Sequence, residues 1–147
     1  MCGSFSQTLR LGGVVHVVSD RIAELGAEDG DRFLPIEELG LPTDYRFTNG
    51  PILDNAALRR LPAVNGITVN TVHGNAESIA AVVGRFNPDV ESMEGAGFMQ
   101  ACQIQQTPFA QVRAVSNLVQ ERDRAAWRLE EAIDGLCRTA FDILDNA

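Results

Sequence analysis

A chain of 147 residues suits one compact domain and can bury roughly 68–70% of the surface its unfolded form exposes. Twelve Lys and Arg face twenty Asp and Glu, a net charge of −8, which argues against nucleic-acid partners because their binding rests on basic patches. A hydrophobic share of 45% excludes wholesale disorder. Three cysteines (Cys2, Cys102, Cys137) without metal-ligand spacing argue against a disulfide framework or zinc site and for a reducing compartment. No apolar run approaches the roughly 20 residues that span a bilayer, and the N-terminus lacks the basic-then-apolar order of a signal peptide. The expectation is a cytoplasmic domain over residues 1–147.

In chain order, residues 13–18 (GVVHVV) are short and β-branched and predict a buried strand. Residues 20–62 hold Pro35, Pro42, Pro51 and Pro62 and little periodicity, a connection of the functional or mobile kind, with five acids against one Arg in residues 20–31. Residues 66–72 predict a second strand. Asn75 is an N-cap for a helix carrying Ala76, Ile79, Ala80, Val83 and Phe86, stopped by Pro88. Residues 89–93 predict a short strand. Residues 95–106 predict a helix with Ala96, Met99 and Cys102 on one stripe, ending before Pro108, and residues 109–119 a longer strand. A last helix over residues 125–144 sets Leu129, Ile133, Leu136, Ala140 and Leu144 on one face. Strands alternating with helices predict an α/β fold with a mostly parallel sheet. Ligands in such folds sit beyond the C-terminal strand ends, here after Val72, around Glu94 and around Asn117.

Glu94 follows a strand and opens a helix, where a carboxylate can accept two hydrogen bonds from the paired hydroxyls of a ribose. It reads equally well as a first-turn acid favoured by the helix dipole. Ser116 and Asn117, polar residues ending an apolar strand, can read the hydrogen-bonding groups of a ligand ring; an ordinary Ser-Asn turn has the same signature. Gly74 before a helix start leaves backbone N–H groups for a ligand. His73 beside it, like His16 in its apolar run, reads first as structural. Asp29-Gly30-Asp31 lacks the ligand series of a calcium loop and predicts a turn. No nucleophile motif, P-loop or dinucleotide fingerprint is present.

Four stretches carry a resemblance: residues 18–33 (VSDRIAELGAEDGDRF), 64–74 (VNGITVNTVHG), 91–98 (ESMEGAGF) and 112–124 (VRAVSNLVQERDR), with Trp127 following. They resemble the purine nucleoside phosphorylase and nucleosidase superfamily. The AELGAEDGD segment looks more narrowly like the futalosine hydrolase family. The resemblance implies a mixed, mostly parallel central sheet flanked by helices, and hydrolysis of a purine N-glycosidic bond through an oxocarbenium-like transition state. For futalosine the products are hypoxanthine and dehypoxanthine futalosine, a step of menaquinone biosynthesis. Carried over, Glu94 binds the 2′- and 3′-hydroxyls above Met93, Ser116 and Asn117 contact the base, Gly3 and Ser4 match a glycine-rich loop near the sugar and water, and Gly74 and Asn75 line the base pocket. Glu94 and Asn117 would be the catalytic pair. No cofactor or metal is implied. The partner is a small-molecule nucleoside rather than nucleic acid or membrane, and a homodimer or higher homo-oligomer is expected.

Two departures from the family pattern stand out. Adenine-releasing nucleosidases carry an Asp acid at the position of Asn117; an amide both donates and accepts, which suits hypoxanthine better than adenine. The family also begins with strands and a Glu-bearing turn that activates water, whereas this chain opens at Met1-Cys2-Gly3-Ser4. It is therefore expected to be N-terminally incomplete and inactive alone. Two other readings remain: a non-catalytic ligand-binding or subunit-interaction module of the same fold, and a phosphate-dependent nucleoside phosphorylase, for which the sequence shows no cluster of Arg.

Overall fold

The computed structural model describes residues 1–41, 45–49 and 54–146. Its strands are β1 (Cys2–Ser4), β2 (Val14–Arg21), β3 (Gly26–Asp29), β4 (Arg32–Pro35), β5 (Arg46–Thr48), β6 (Ala63–Thr68), β7 (Val90–Ser92) and β8 (Gln111–Leu118). Its helices are α1 (Ala56–Arg60), α2 (Ala76–Phe86), α3 (Gly95–Ile104) and α4 (Leu129–Asp145). The large sheet runs β5-β2-β6-β7-β1-β8, and β8 pairs back onto β2. Strands β2, β6, β7, β1 and β8 thus close into a barrel-like ring, with β5 outside it.

The α/β class and the mixed sheet are as expected, but the sheet is not mostly parallel. Three pairings are parallel (β2–β6, β6–β7, β1–β8) and three antiparallel (β1–β7, β2–β5, β2–β8). A crossover helix enforces parallel pairing between β6 and β7, where α2 returns the chain. Pairs β1–β7 and β2–β8 join strands distant in the chain, so no such crossover sets their direction.

Asn75 caps α2 as predicted, its Oδ1 accepting from the N–H groups of Glu77 (2.9 Å) and Ser78 (3.2 Å). Asn87 ends the helix in the left-handed region, φ 45°, before Pro88. Helix α3 turns Ala96 and Met99, both fully buried, into a core with Val15, Val17, Val90 and Val115. Strand β6 starts and ends earlier than predicted, its last ladder bond to β7 running from the Val69 N–H to the Ser92 carbonyl (2.9 Å).

Residues 20–62 are more structured than their composition suggests. They hold the hairpin β3–β4, turning at Gly30 (φ 60°) as the Asp-Gly-Asp reading predicts, then a 3-10 turn, β5 and α1. Pro42 and Pro51 lie outside the described residues. The last helix also differs. Asp123 caps a 3-10 turn at Arg124–Ala126, extended Trp127 interrupts the run, and α4 starts at Leu129. It buries Ala132 and sets Gly135 where a Cβ would meet the Gly12 carbonyl at 2.6 Å, while Leu129, Ile133, Phe141 and Leu144 stay exposed. The predicted apolar stripe therefore faces outward. No described helix is long and apolar enough to cross a membrane.

Met99 fills the space beneath the start of α3, so Met99→Ala should lower the unfolding free energy by about 2–5 kcal/mol in urea denaturation. A loss below about 1 kcal/mol would contradict its central place in the core.

Candidate functional site

Strand β1 lies between β7 and β8. Gly3 pairs with Glu91 on one side and Asn117 on the other. A Cβ on Gly3 would stand 3.0 Å from Val119 Cγ2, 3.3 Å from Asn117 Nδ2 and 3.5 Å from Glu91 Cγ. Glycine at this position lets both flanking strands bring polar side chains close to one point. Around that point Gly3, His73, Gly74, Glu91, Asn117 and Trp127 help line a cavity of about 140 Å³.

Asn117 enters this cavity with its amide oriented by neighbours. Its Nδ2 donates to the Leu118 carbonyl (2.9 Å), and Ser116 Oγ lies 2.8 Å from its Oδ1. Ser116 is buried and also reaches the Cys2 carbonyl (3.2 Å), so β1 and β8 are tied together directly behind the amide. Ser4 is buried too, and its hydroxyl donates to the Ser6 carbonyl (2.8 Å).

Glu91 and His73 form a pair that sequence spacing did not single out. Glu91 Oε1 accepts from the His73 backbone N–H (3.1 Å), and Oε2 lies 2.6 Å from His73 Nδ1. Burial pushes the Glu91 carboxyl above the usual range, and the hydrogen bonds and charge of His73 oppose that shift. The pair fixes the turn after β6 against β7. His16, as expected of a structural residue, contacts a neighbour instead: its Nε2 lies 2.8 Å from Asn49 Nδ2.

Glu94 occupies the N-cap position of α3, yet its side chain makes no capping bond. Ser92 Oγ accepts from the Gly95 N–H (3.3 Å), and Thr68 Oγ1 accepts from the Ala96 N–H (2.7 Å). No capping hydrogen bond therefore ties this carboxylate to the first turn of α3. Its Oε2 instead accepts from Arg113 Nη1 (2.9 Å), and the group remains 69% exposed beside Met93, itself 51% exposed. Arg113 stands four residues before Asn117 on β8, roughly 13 Å along the strand.

The structure thus sets Gly3, Gly74 and Asn117 on one cavity and Glu94, with Phe98 and Arg113, on a second, open one of about 380 Å³ that shares no lining residue with the first. Asn75, occupied as the α2 cap, lines a third with Ile79 and Val83. Three arginines that the sequence did not group, Arg21, Arg46 and Arg85, line a polar cavity between β2, β5 and the end of α2. Arg21 pairs with Glu37 (3.4 Å) and Arg85 stacks on Phe33 (4.2 Å), so both have partners within the fold.

Beneath Glu94 lies Asp20, 1% exposed. Its Oδ1 accepts from Thr68 Oγ1 (2.9 Å) and its Oδ2 from Gln111 Nε2 (3.0 Å). Burial raises the Asp20 carboxyl above the ordinary aspartate range, against the hydrogen bonds from Gln111 and Thr68.

No protein-family model matches the sequence. Over 138 residues the chain is 38% identical to a futalosine hydrolase of Streptomyces coelicolor, covering 91% of this chain and 58% of that protein. It is 31% identical over 149 residues to a futalosine hydrolase of Thermus thermophilus, covering 98% of this chain and 66% of the relative. The chain therefore spans between about half and two thirds of the length of these curated relatives. Among solved structures, the 5′-methylthioadenosine/S-adenosylhomocysteine nucleosidase of Neisseria meningitidis, in complex with methylthio-immucillin-A, superposes with a TM-score of 0.81 at 20% identity. That match covers 99% of this chain and 67% of the nucleosidase. The native futalosine hydrolase of Helicobacter pylori strain 26695 gives 0.78 at 15% identity, covering 100% of this chain and 66% of that one. These likenesses establish the nucleosidase-type fold.

An acid with a raised folded pKa stabilises the fold at low pH, and that share is lost as pH rises through the folded value. Asp20→Asn removes the titration. Its unfolding free energy relative to the wild type should therefore increase from about pH 4 upward, measured by denaturation across the range. A relative stability that falls over the same window would contradict the assignment.

Proposed function

We propose that this chain, related in sequence to the futalosine hydrolases over nearly its whole length, forms the base- and sugar-binding part of a purine N-glycosidase. The substrate is a 6-oxopurine nucleoside, and futalosine fits best, giving hypoxanthine and dehypoxanthine futalosine in menaquinone biosynthesis. Supporting this reading most directly, Asn117 of β8 lines the cavity at Gly3 while Glu94, two residues past the end of β7, keeps an exposed carboxylate held by Arg113 of the same β8.

In this reading Asn117 offers an amide donor and acceptor to the base, with Ser116 orienting it. The lone pairs of Glu94 take the sugar hydroxyls, with Met93 beneath. Holding the diol stabilises the sugar as positive charge develops at C1′, provided the contacts tighten toward the transition state. Gly3 and Ser4 border the sugar, and Gly74 and Asn75 border the base. No carboxylate of this chain is assigned as the water-activating base. That role belongs, in this proposal, to the part of the longer relatives that this chain does not span. The exposed apolar stripe of α4 supports the proposed homo-oligomeric state, and the composition supports a cytoplasmic location.

Calorimetry on the purified chain tests the base assignment. Hypoxanthine should bind about tenfold more tightly than adenine, and Asn117→Asp should erase the preference. Adenine binding as well as or better than hypoxanthine would contradict the reading. The chain alone should release no hypoxanthine from futalosine, and measurable release would overturn the proposal that the base lies elsewhere.

A further inference from the structure

The carboxylate assigned to the sugar sits at a helix start that the fold has capped from below. An N-cap side chain ordinarily accepts from the N–H groups of the first turn. Glu94 does not, because other groups have taken those donors. The Ala96 N–H donates to Thr68 Oγ1 (2.7 Å), and the same hydroxyl donates to Asp20 Oδ1 (2.9 Å). The relay runs from the helix start into a fully buried carboxylate. Its negative charge lies behind the positive end of the α3 dipole, where each bond in the chain polarises the next.

The second oxygen of Asp20 holds the other side of the same turn. Oδ2 accepts from Gln111 Nε2 (3.0 Å), and a Cβ on Gly95 would overlap Oδ2 and stand 2.8 Å from Gln111 Nε2. Gly95 is thus required by the close approach of the carboxylate, whatever its own φ. Gln111 Oε1 is buried without a hydrogen-bond partner. A fold needing only stability at this point would be served by an apolar side chain, since a buried acid carries a desolvation cost.

The geometry points to Asp20 as a positioning residue that, through Thr68 and Gln111, fixes the first turn of α3 and so frees and aims the Glu94 carboxylate. This rests on the reading of Glu94 as the sugar-binding group, but the clamp itself is a separate claim about α3. Asp20 lies 74 positions before Glu94 in the chain and touches no proposed ligand.

Thr68→Val removes the relay hydroxyl at nearly constant shape, and Thr68→Ser restores it. Amide hydrogen exchange on the purified chain should show Ala96 exchanging about tenfold faster in Thr68→Val. Amides of β2 and β6 should stay at the wild-type rate, and Thr68→Ser should return Ala96 to it. Faster exchange throughout β2 and β6, or failure of the serine to rescue, would overturn the clamp as a mere contribution to stability. Inosine and hypoxanthine binding are measured in parallel. Thr68→Val should weaken inosine about tenfold and leave hypoxanthine unchanged, as should Glu94→Ala. If Glu94→Ala weakens inosine and Thr68→Val does not, the inference fails while the sugar assignment stands. If Glu94→Ala leaves inosine unchanged, the sugar assignment fails and the exchange result alone decides the clamp.

Discussion

The arrangement depends on a three-residue strand lodged between two others. Cys2–Ser4 pairs antiparallel with β7 and parallel with β8, and Gly3 is the residue both neighbours meet. A Cβ there would crowd Val119 and Asn117 while touching Glu91. With only hydrogens on that α-carbon, the strand lets Glu91 of β7 and Asn117 of β8 come close to one point. Ser116 then ties β8 to the Cys2 carbonyl, and Arg113 reaches Glu94 across the opening of the ring. Remove the short strand and Glu91 and Asn117 have no common neighbour.

Buried acids divide the remaining work. Glu91 and Asp20 are both buried, and both have their carboxyls raised by loss of water. Each has both oxygens bonded, which is the condition under which a buried carboxylate is tolerated. Glu91 uses its two bonds on the turn at His73, and Asp20 uses its own beneath the start of α3. The exposed acid, Glu94, is left without a structural duty apart from its pairing with Arg113. A surface carboxylate released from capping and held by one guanidinium is suited to meeting a hydroxylated ligand.

What the sequence made legible was local. The Asn75 cap, the stop at Pro88 and the Ala96–Met99 stripe predicted α2 and α3 because each signal lies within a few residues of the element it governs. Strands β2, β7 and β8 were readable as apolar runs. Residues 20–62 were not, since β3 is charged and mostly exposed and the half-buried β4 (Arg32–Pro35) is only four residues long, too short to show a period. β1 is too short to show a period. The outward face of α4 misled for another reason: the helix docks through Ala132 and Gly135, small residues that permit close approach and score weakly as apolar. At the site, Glu94 and Asn117 stood out within short motifs. Glu91 with His73, and Asp20 with Thr68 and Gln111, did not, because their partners lie 18, 48 and 91 positions away and only the closed ring brings them together.

A structure of this chain with a bound hypoxanthine ribonucleoside such as inosine tests the central claim most directly. The base should lie against the Asn117 amide, and the ribose hydroxyls should be within hydrogen-bonding distance of the Glu94 carboxylate. A nucleoside bound elsewhere, or one that occupies the Gly3 cavity with Glu94 making no contact to its sugar, would contradict the account.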